Sequence, residues 1–158
     1  MGSRPPPRSL GFTLVELIIA ITLMGILGAI AASRMITPQG FASRGFYDEA
    51  QAVVRFAQKT AIAWRRTIVV CVSATEVSAI SNSDCSTPTY VRHPANPANP
   101  LKTQPIPSGV TLSSTSGSFS FDGLGRPTPA TTITLNSTNA DDPVRLIIVA
   151  SETGYVYH

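Results

Sequence analysis

Gly11-Phe12-Thr13-Leu14-Val15-Glu16, continued by the apolar run LIIAITLMGILGAIAA from Leu17 to Ala32, decides how the rest of the chain is read. Phe12 to Ala32 is 21 residues with one charge, Glu16. Wound as a helix at about 1.5 Å per residue, it is about 30 Å long, the thickness of a bilayer's hydrocarbon core. A lone carboxylate inside such a run costs about 3 kcal/mol unless it finds a partner. A segment that only anchors has no use for it, so Glu16 is the first candidate functional residue.

Upstream, Met1 to Gly11 is short, polar and basic, with Arg4 and Arg8 flanking Pro5, Pro6 and Pro7. It reads as a targeting segment, and its arginines favour a cytoplasmic N-terminus. An ordinary secretory signal is the alternative. It would be cut after the apolar run, where Ala29, Ala31 and Ala32 offer small residues, but the length of the run and Glu16 fit that poorly. Downstream, about 125 residues remain, enough for one compact domain. From Arg34 onward 10 basic residues face 8 acidic ones, a balance of +2. That is a weak attraction for nucleic acid or an anionic surface.

Phe12 to about Thr37 is expected as one helix. Gly25 and Gly28 lie inside it and permit close packing in a membrane. A break is expected at Pro38-Gln39-Gly40. A second helix is expected from about Gly45 to Arg66. There Ala50, Val53, Val54, Ala57, Ala61 and Trp64 recur at spacings of three and four, one face of an amphipathic helix. Asp48 and Glu49 would occupy its first turn, where acidic side chains favour the dipole. Arg55, Gln58, Lys59, Arg65 and Arg66 fall mostly off the apolar face, as a solvated side or as a partner-binding patch.

From Thr67 the period changes to two and β-branched residues dominate. Strands are expected at Thr67–Val72, Glu76–Ile80, Val110–Ser114, Ser118–Asp122, Thr131–Asn136, Val144–Ser151 and Tyr155–Tyr157. Residues 86–109 hold Pro88, Pro94, Pro97, Pro100, Pro105 and Pro107, and read as a long surface loop. The expected fold is α+β, with the amphipathic helix packed on an antiparallel β-sheet head.

No catalytic constellation is visible, and an enzyme is not expected. His93 and His158, the two histidines, have no metal-ligand spacing to a cysteine, so neither a metal nor a cofactor is expected. Asp141-Asp142 reads as a turn. Gly123-Leu124-Gly125 has no following helix and no lysine, so it is not a phosphate loop.

GFTLVELIIAITLMGIL resembles the N-terminal signature of type IV prepilins and pseudopilins. Phe119-Ser120-Phe121-Asp122-Gly123-Leu124-Gly125-Arg126-Pro127 is similar to a strand-turn pattern of the GspH/FimT branch. Gly45 to Glu49 with Ala57 to Ala63 resembles minor subunits of mannose-sensitive haemagglutinin-type pili. The resemblance implies a leader at 1–11, cleavage by prepilin peptidase between Gly11 and Phe12, and N-methylation of Phe12. It implies a transmembrane and assembly helix at 12–37 and a periplasmic head at 38–158, with the amphipathic helix at about 45–66 and a β-rich region at 67–158. Glu16 of one subunit would meet the Phe12 amine of a neighbour in the filament; a Glu that merely snorkels to the headgroups is the alternative.

The implied partners are other pilin or pseudopilin subunits, the peptidase and an inner-membrane assembly platform. The implied function is a minor pilin of a type IV pilus-like filament, or a GspH-type pseudopilin of type II secretion. A third reading, DNA capture for uptake, would need C-terminal arginines. The chain ends Gly154-Tyr155-Val156-Tyr157-His158 and offers Arg126 and Arg145, so DNA is not expected as a partner. Cys71 and Cys85, the two cysteines, are expected to pair in an oxidising periplasm. A buried thiol at Cys71 with an exposed one at Cys85 is the alternative.

Overall fold

The computed structural model describes residues 13–35 and 38–158. The leader and the Gly11–Phe12 junction lie outside the described residues. Two compact units divide between Thr37 and Pro38.

The first unit contains α1, Leu14–Met35. Thr13 caps it: the Glu16 amide donates to Thr13 Oγ1 at 3.3 Å, half of a capping box. The side chains described in α1 run from Leu14 to Gly28. Among the described residues no helix is long and apolar enough to cross a membrane, a stretch that takes about 20 residues.

The second unit opens with α2, Pro38–Trp64, 27 residues long. This corrects the expected break at Pro38-Gln39-Gly40 and the expected start at Gly45. Proline lacks an N–H that a first helical residue has no use for, and its fixed φ suits that position, so Pro38 begins the helix. Asp48 and Glu49 therefore lie well inside α2, and no acidic residue occupies its first turn. Glu49 serves elsewhere: its Oε1 accepts from the Gln104 amide at 3.1 Å. The helix ends in a Schellman closure. Arg65 takes φ +50°, its amide donates to Ile62 O at 3.3 Å, and the Arg66 amide donates to Ala61 O at 3.2 Å.

Eight strands follow: β1 Ile68–Val72, β2 Val77–Ile80, β3 Val110–Ser114, β4 Phe119–Phe121, β5 Pro127–Thr128, β6 Thr131–Ser137, β7 Arg145–Val149 and β8 Val156–Tyr157. They make two four-stranded sheets, β2-β1-β4-β5 and β3-β6-β7-β8. Every named pairing is antiparallel. The short β5 escaped the sequence reading, since a two-residue strand starting at proline leaves no periodic signal.

Ala50, Val53, Val54, Ala57 and Ala61 of α2 are buried against this scaffold, with Ile68, Val70, Phe121, Ile133, Ile147 and Val156 among the core residues of the strands. Burying a side chain the size of Phe121 contributes about 2–3 kcal/mol. Trp64 departs from the expected core face: it ends the helix and is 49% exposed.

Residues 86–109 also depart from expectation, because part of the segment belongs to the core. Val91 and Leu101 are 2% exposed. The Ala79 amide donates to Leu101 O at 3.0 Å, and the Val91 amide donates to Ala79 O at 2.9 Å. The Thr103 amide reaches Val77 O at 2.9 Å. The segment thus covers the free edge of β2 and satisfies its backbone groups. The Asn96–Pro100 turn stays at the surface, where its prolines disturb no ladder.

A disulfide joins Cys71 of β1 to Cys85, with Cα atoms 5.8 Å apart. In the chain-entropy model, closing a loop of about 15 residues stabilises the fold by about 3 kcal/mol. Cys71→Ala with Cys85→Ala is expected to lower the unfolding free energy by about that amount in denaturant titration. The parent protein, alkylated under denaturing, non-reducing conditions, should keep its mass; two added labels would rule the bond out.

Candidate functional site

Three regions carry the residues singled out above. The first is the start of α1. Glu16 is exposed in the first turn, where a carboxylate is favoured by the helix dipole. Apolar side chains surround it: Leu14, Val15, Leu17, Ile18 and Ile19 are all exposed. A Cβ added at Gly25 or Gly28 would meet nothing within 4 Å, so both backbones can be closely approached. The Thr-x-x-Glu spacing of Thr13 and Glu16 is the sequence signal for the cap and was readable beforehand.

The second region is the seam between α2 and the sheet β3-β6-β7-β8. Asp142 has a side chain only 4% exposed and accepts from Arg145 Nη1 at 2.6 Å. The buried Ser43 hydroxyl of α2 donates to its other oxygen. The Ser43 hydrogen bond and, after it, the Arg145 guanidinium hold the Asp142 carboxyl below its ordinary value. Further along the helix, Tyr47 donates from its hydroxyl to Leu146 O at 3.2 Å. Arg55 Nη2 donates to Val156 O at 3.1 Å. Burial is the leading cause that pushes the Tyr47 phenol up. Asp141-Asp142 does form a turn, but sequence reading missed that the second carboxylate is a buried anchor.

The third region is the turn between β4 and β5. Asp122 Oδ1 accepts from the amides of Leu124 at 2.9 Å and Arg126 at 2.8 Å. These bonds, that from Arg126 foremost, keep its carboxyl below the usual range. Gly125 has φ +83°, and a Cβ there would lie 2.7 Å from Ile62 Cδ1 of α2. Gln58 Nε2 clamps the turn to the chain's end, donating to Gly125 O at 3.0 Å and Thr153 O at 3.1 Å. Gly154 has φ +67°, and a Cβ there would run into the Gly125 carbonyl. The glycines of this pattern serve close approach between two turns and a helix.

The remaining candidates are His93 and the basic residues of α2. His93 Nδ1 accepts from the Ala95 amide at 3.2 Å within its own loop. Among the described residues no group of three or more His, Cys, Asp or Glu could hold a metal ion. The basic residues of α2 separate. Arg55 is committed to β8, Arg66 donates to Ser81 O at 3.1 Å, and Lys59 is exposed.

An amphipathic helix stitched to antiparallel sheets, together with a separate helix whose apolar side chains stand exposed around Glu16, defines a pilin-type structural subunit. The chain belongs to the type II transport protein GspH family, whose model matches residues 48–154. Residues 6–32 match the prokaryotic N-terminal methylation motif, which marks the chain for prepilin-peptidase processing. No curated protein matches the chain in sequence. Two crystal structures of the type IV minor pilin FimU of Pseudomonas aeruginosa strain PAO1 share its fold. One is 18% identical and covers 76% of this chain and 87% of its own, with a TM-score of 0.52. The other is 18% identical and covers 72% and 90%, with a TM-score of 0.53.

The seam yields a test. Asp142's folded pKa is depressed, so its contribution to stability is present above the unfolded value of about 3.9 and is lost as pH falls through the folded value. Asp142→Asn is expected to cost about 2 kcal/mol at pH 7 in denaturant titration and to flatten the loss of stability below pH 4. An unchanged acid limb would remove Asp142 as the anchor.

Proposed function

We propose that this chain is a minor subunit of a type IV pilus-like filament, stored in the bacterial inner membrane with its head, residues 38–158, in the periplasm. Residues 1–11 are the leader. Prepilin peptidase cuts between Gly11 and Phe12 and methylates Phe12. Residues 12–37 hold the subunit in the bilayer and pack in the filament core after assembly on an inner-membrane platform.

The observation that carries this reading is the uncovered apolar surface of α1. Leu14 is 74% exposed, Met24 72% and Leu27 66%, and the exposed positions run around the whole helix. A helix apolar on all sides must be covered by lipid or by other helices. Glu16 is the one charge in that surface, and its cost in the bilayer falls when a cation approaches. The Phe12 amine freed by cleavage on a neighbouring subunit is such a cation, and Gly25 and Gly28 allow the helices to come close.

Membership of the GspH family supports a second reading of the same machinery, a GspH-type pseudopilin of the type II protein secretion system. DNA capture has less support, because Arg145 is paired with Asp142 and leaves Arg126 without a neighbouring cation from the C-terminal end.

Mass spectrometry of sheared filaments and of membranes from the same cells tests both readings. A methylated peptide beginning at Phe12 in the filaments is the expected result. The processed form in membranes alone would favour the secretion pseudopilus. A new N-terminus near Ser33 would overturn both. Glu16→Ala should insert and be cleaved normally, while its recovery in filaments falls at least about tenfold, a loss of more than about 1.4 kcal/mol of assembly free energy. Normal incorporation would remove the assembly role of Glu16.

A further inference from the structure

Near the C-terminal end of α2, a groove of about 240 Å³ opens between the helix and the 86–109 segment. Phe56, Ala63 and Trp64 give it apolar walls, and Lys59 and Arg92 line it from the helix and the segment. No carboxylate lines it. Thr60, which also lines it, spends its hydroxyl on Phe56 O at 2.9 Å. The salt bridges among the described residues are Lys102–Glu76 and Arg145–Asp142, so Lys59 and Arg92 have no acidic partner there. The Arg66 guanidinium stands 5.6 Å from the Trp64 ring centroid and is itself held by Ser81 O. Trp64, the chain's single tryptophan, thus stays half in water beside three cations.

We propose that this groove docks an acidic and apolar peptide segment of a partner subunit. A carboxylate sits between Lys59 and Arg92, and an adjacent apolar side chain lies against Trp64, Phe56 and Ala63. Charge complementarity selects the acidic residue. An exposed tryptophan with an arginine beside it is the composition of an interface hot spot. The groove is smaller than the roughly 300 Å³ at which small-molecule sites begin, and suits a few side chains. A nucleic-acid strand would need a longer basic groove with successive stacking aromatics, and Trp64 is the only well-exposed aromatic lining this one. The surface lies on the head, away from Gly11, Phe12 and Glu16 in sequence; the inference rests on the proposed subunit role for its partner, while its test uses neither processing nor filament entry.

Trp64 reports directly on binding. The full-length protein in detergent is titrated with an acetylated and amidated Leu-Asp-Leu-Glu-Leu peptide at near-physiological salt, and tryptophan emission is followed. The expected result is a saturable change in emission. The isosteric Leu-Asn-Leu-Gln-Leu peptide should bind at least tenfold more weakly. Lys59→Ala with Arg92→Ala should weaken the acidic peptide at least tenfold while the circular dichroism stays unchanged. Equal affinity for the two peptides, no saturable change, or indifference to the double substitution would overturn the proposal. Tighter binding of a single-stranded thymidine oligonucleotide than of the acidic peptide would overturn it too, and would assign the groove to nucleic acid. Failure here leaves the Glu16→Ala incorporation assay untouched, so the two readings fail separately.

Discussion

The head depends on one steric constraint, the narrow face of α2. Ala50, Ala57 and Ala61 are wholly buried and alternate with the compact Val53 and Val54. Small side chains let strands of both sheets, β1, β2 and β4 of one and β8 of the other, pack close to the helix. A larger residue at Ala57 would have to displace both packing partners and backbone, and well-packed interiors resist that at about 1–3 kcal/mol per overpacked site. The sheets share no named pairing with each other; the helix packs on both, and β1 also meets β3 directly, so the two sheets share one core.

Apolar packing alone lets a helix slide along its own axis, and the polar contacts fix its position. Ser43, Tyr47, Arg55 and Gln58 each bond a group more than sixty residues away, from the Asp142 carboxylate to the Gly125 and Thr153 carbonyls. They are spaced along one side of α2, so together they set both rotation and height. The Gly125–Gly154 approach then ties the β4–β5 turn to the last turn of the chain. The same logic covers β2, whose free edge is closed by residues 89–103 with the Lys102–Glu76 pair at 2.8 Å beside it. That pair is part-exposed and contributes less than about 1 kcal/mol; the backbone bonds do more.

The described part of α1 has the opposite character. Its side chains from Leu14 to Gly28 are mostly apolar and exposed, Glu16 is the one charge among them, and the Thr22 hydroxyl is turned back onto the helix's own carbonyls. A subunit built this way carries a finished, self-sufficient head and an unfinished helix that needs other molecules to cover it.

By itself the sequence determined the apolar run with its single carboxylate, the change of period at Thr67, the core face of α2 from Ala50 to Ala61 and seven of the eight strands, because each is a local pattern of side chains set by 3.6- or 2-residue repeats. Four things were decided only in three dimensions. Pro38 starts a helix where proline chemistry alone suggested a break, Trp64 is left at the surface, Val91 and Leu101 are drawn from a proline-rich loop into the core, and Asp142 becomes a buried anchor. The last two depend on what lies across the fold at more than ten residues' separation, a sheet edge that needs covering and a helix that needs anchoring, while Pro38 and Trp64 mark where the helix begins and ends. No local periodicity records that.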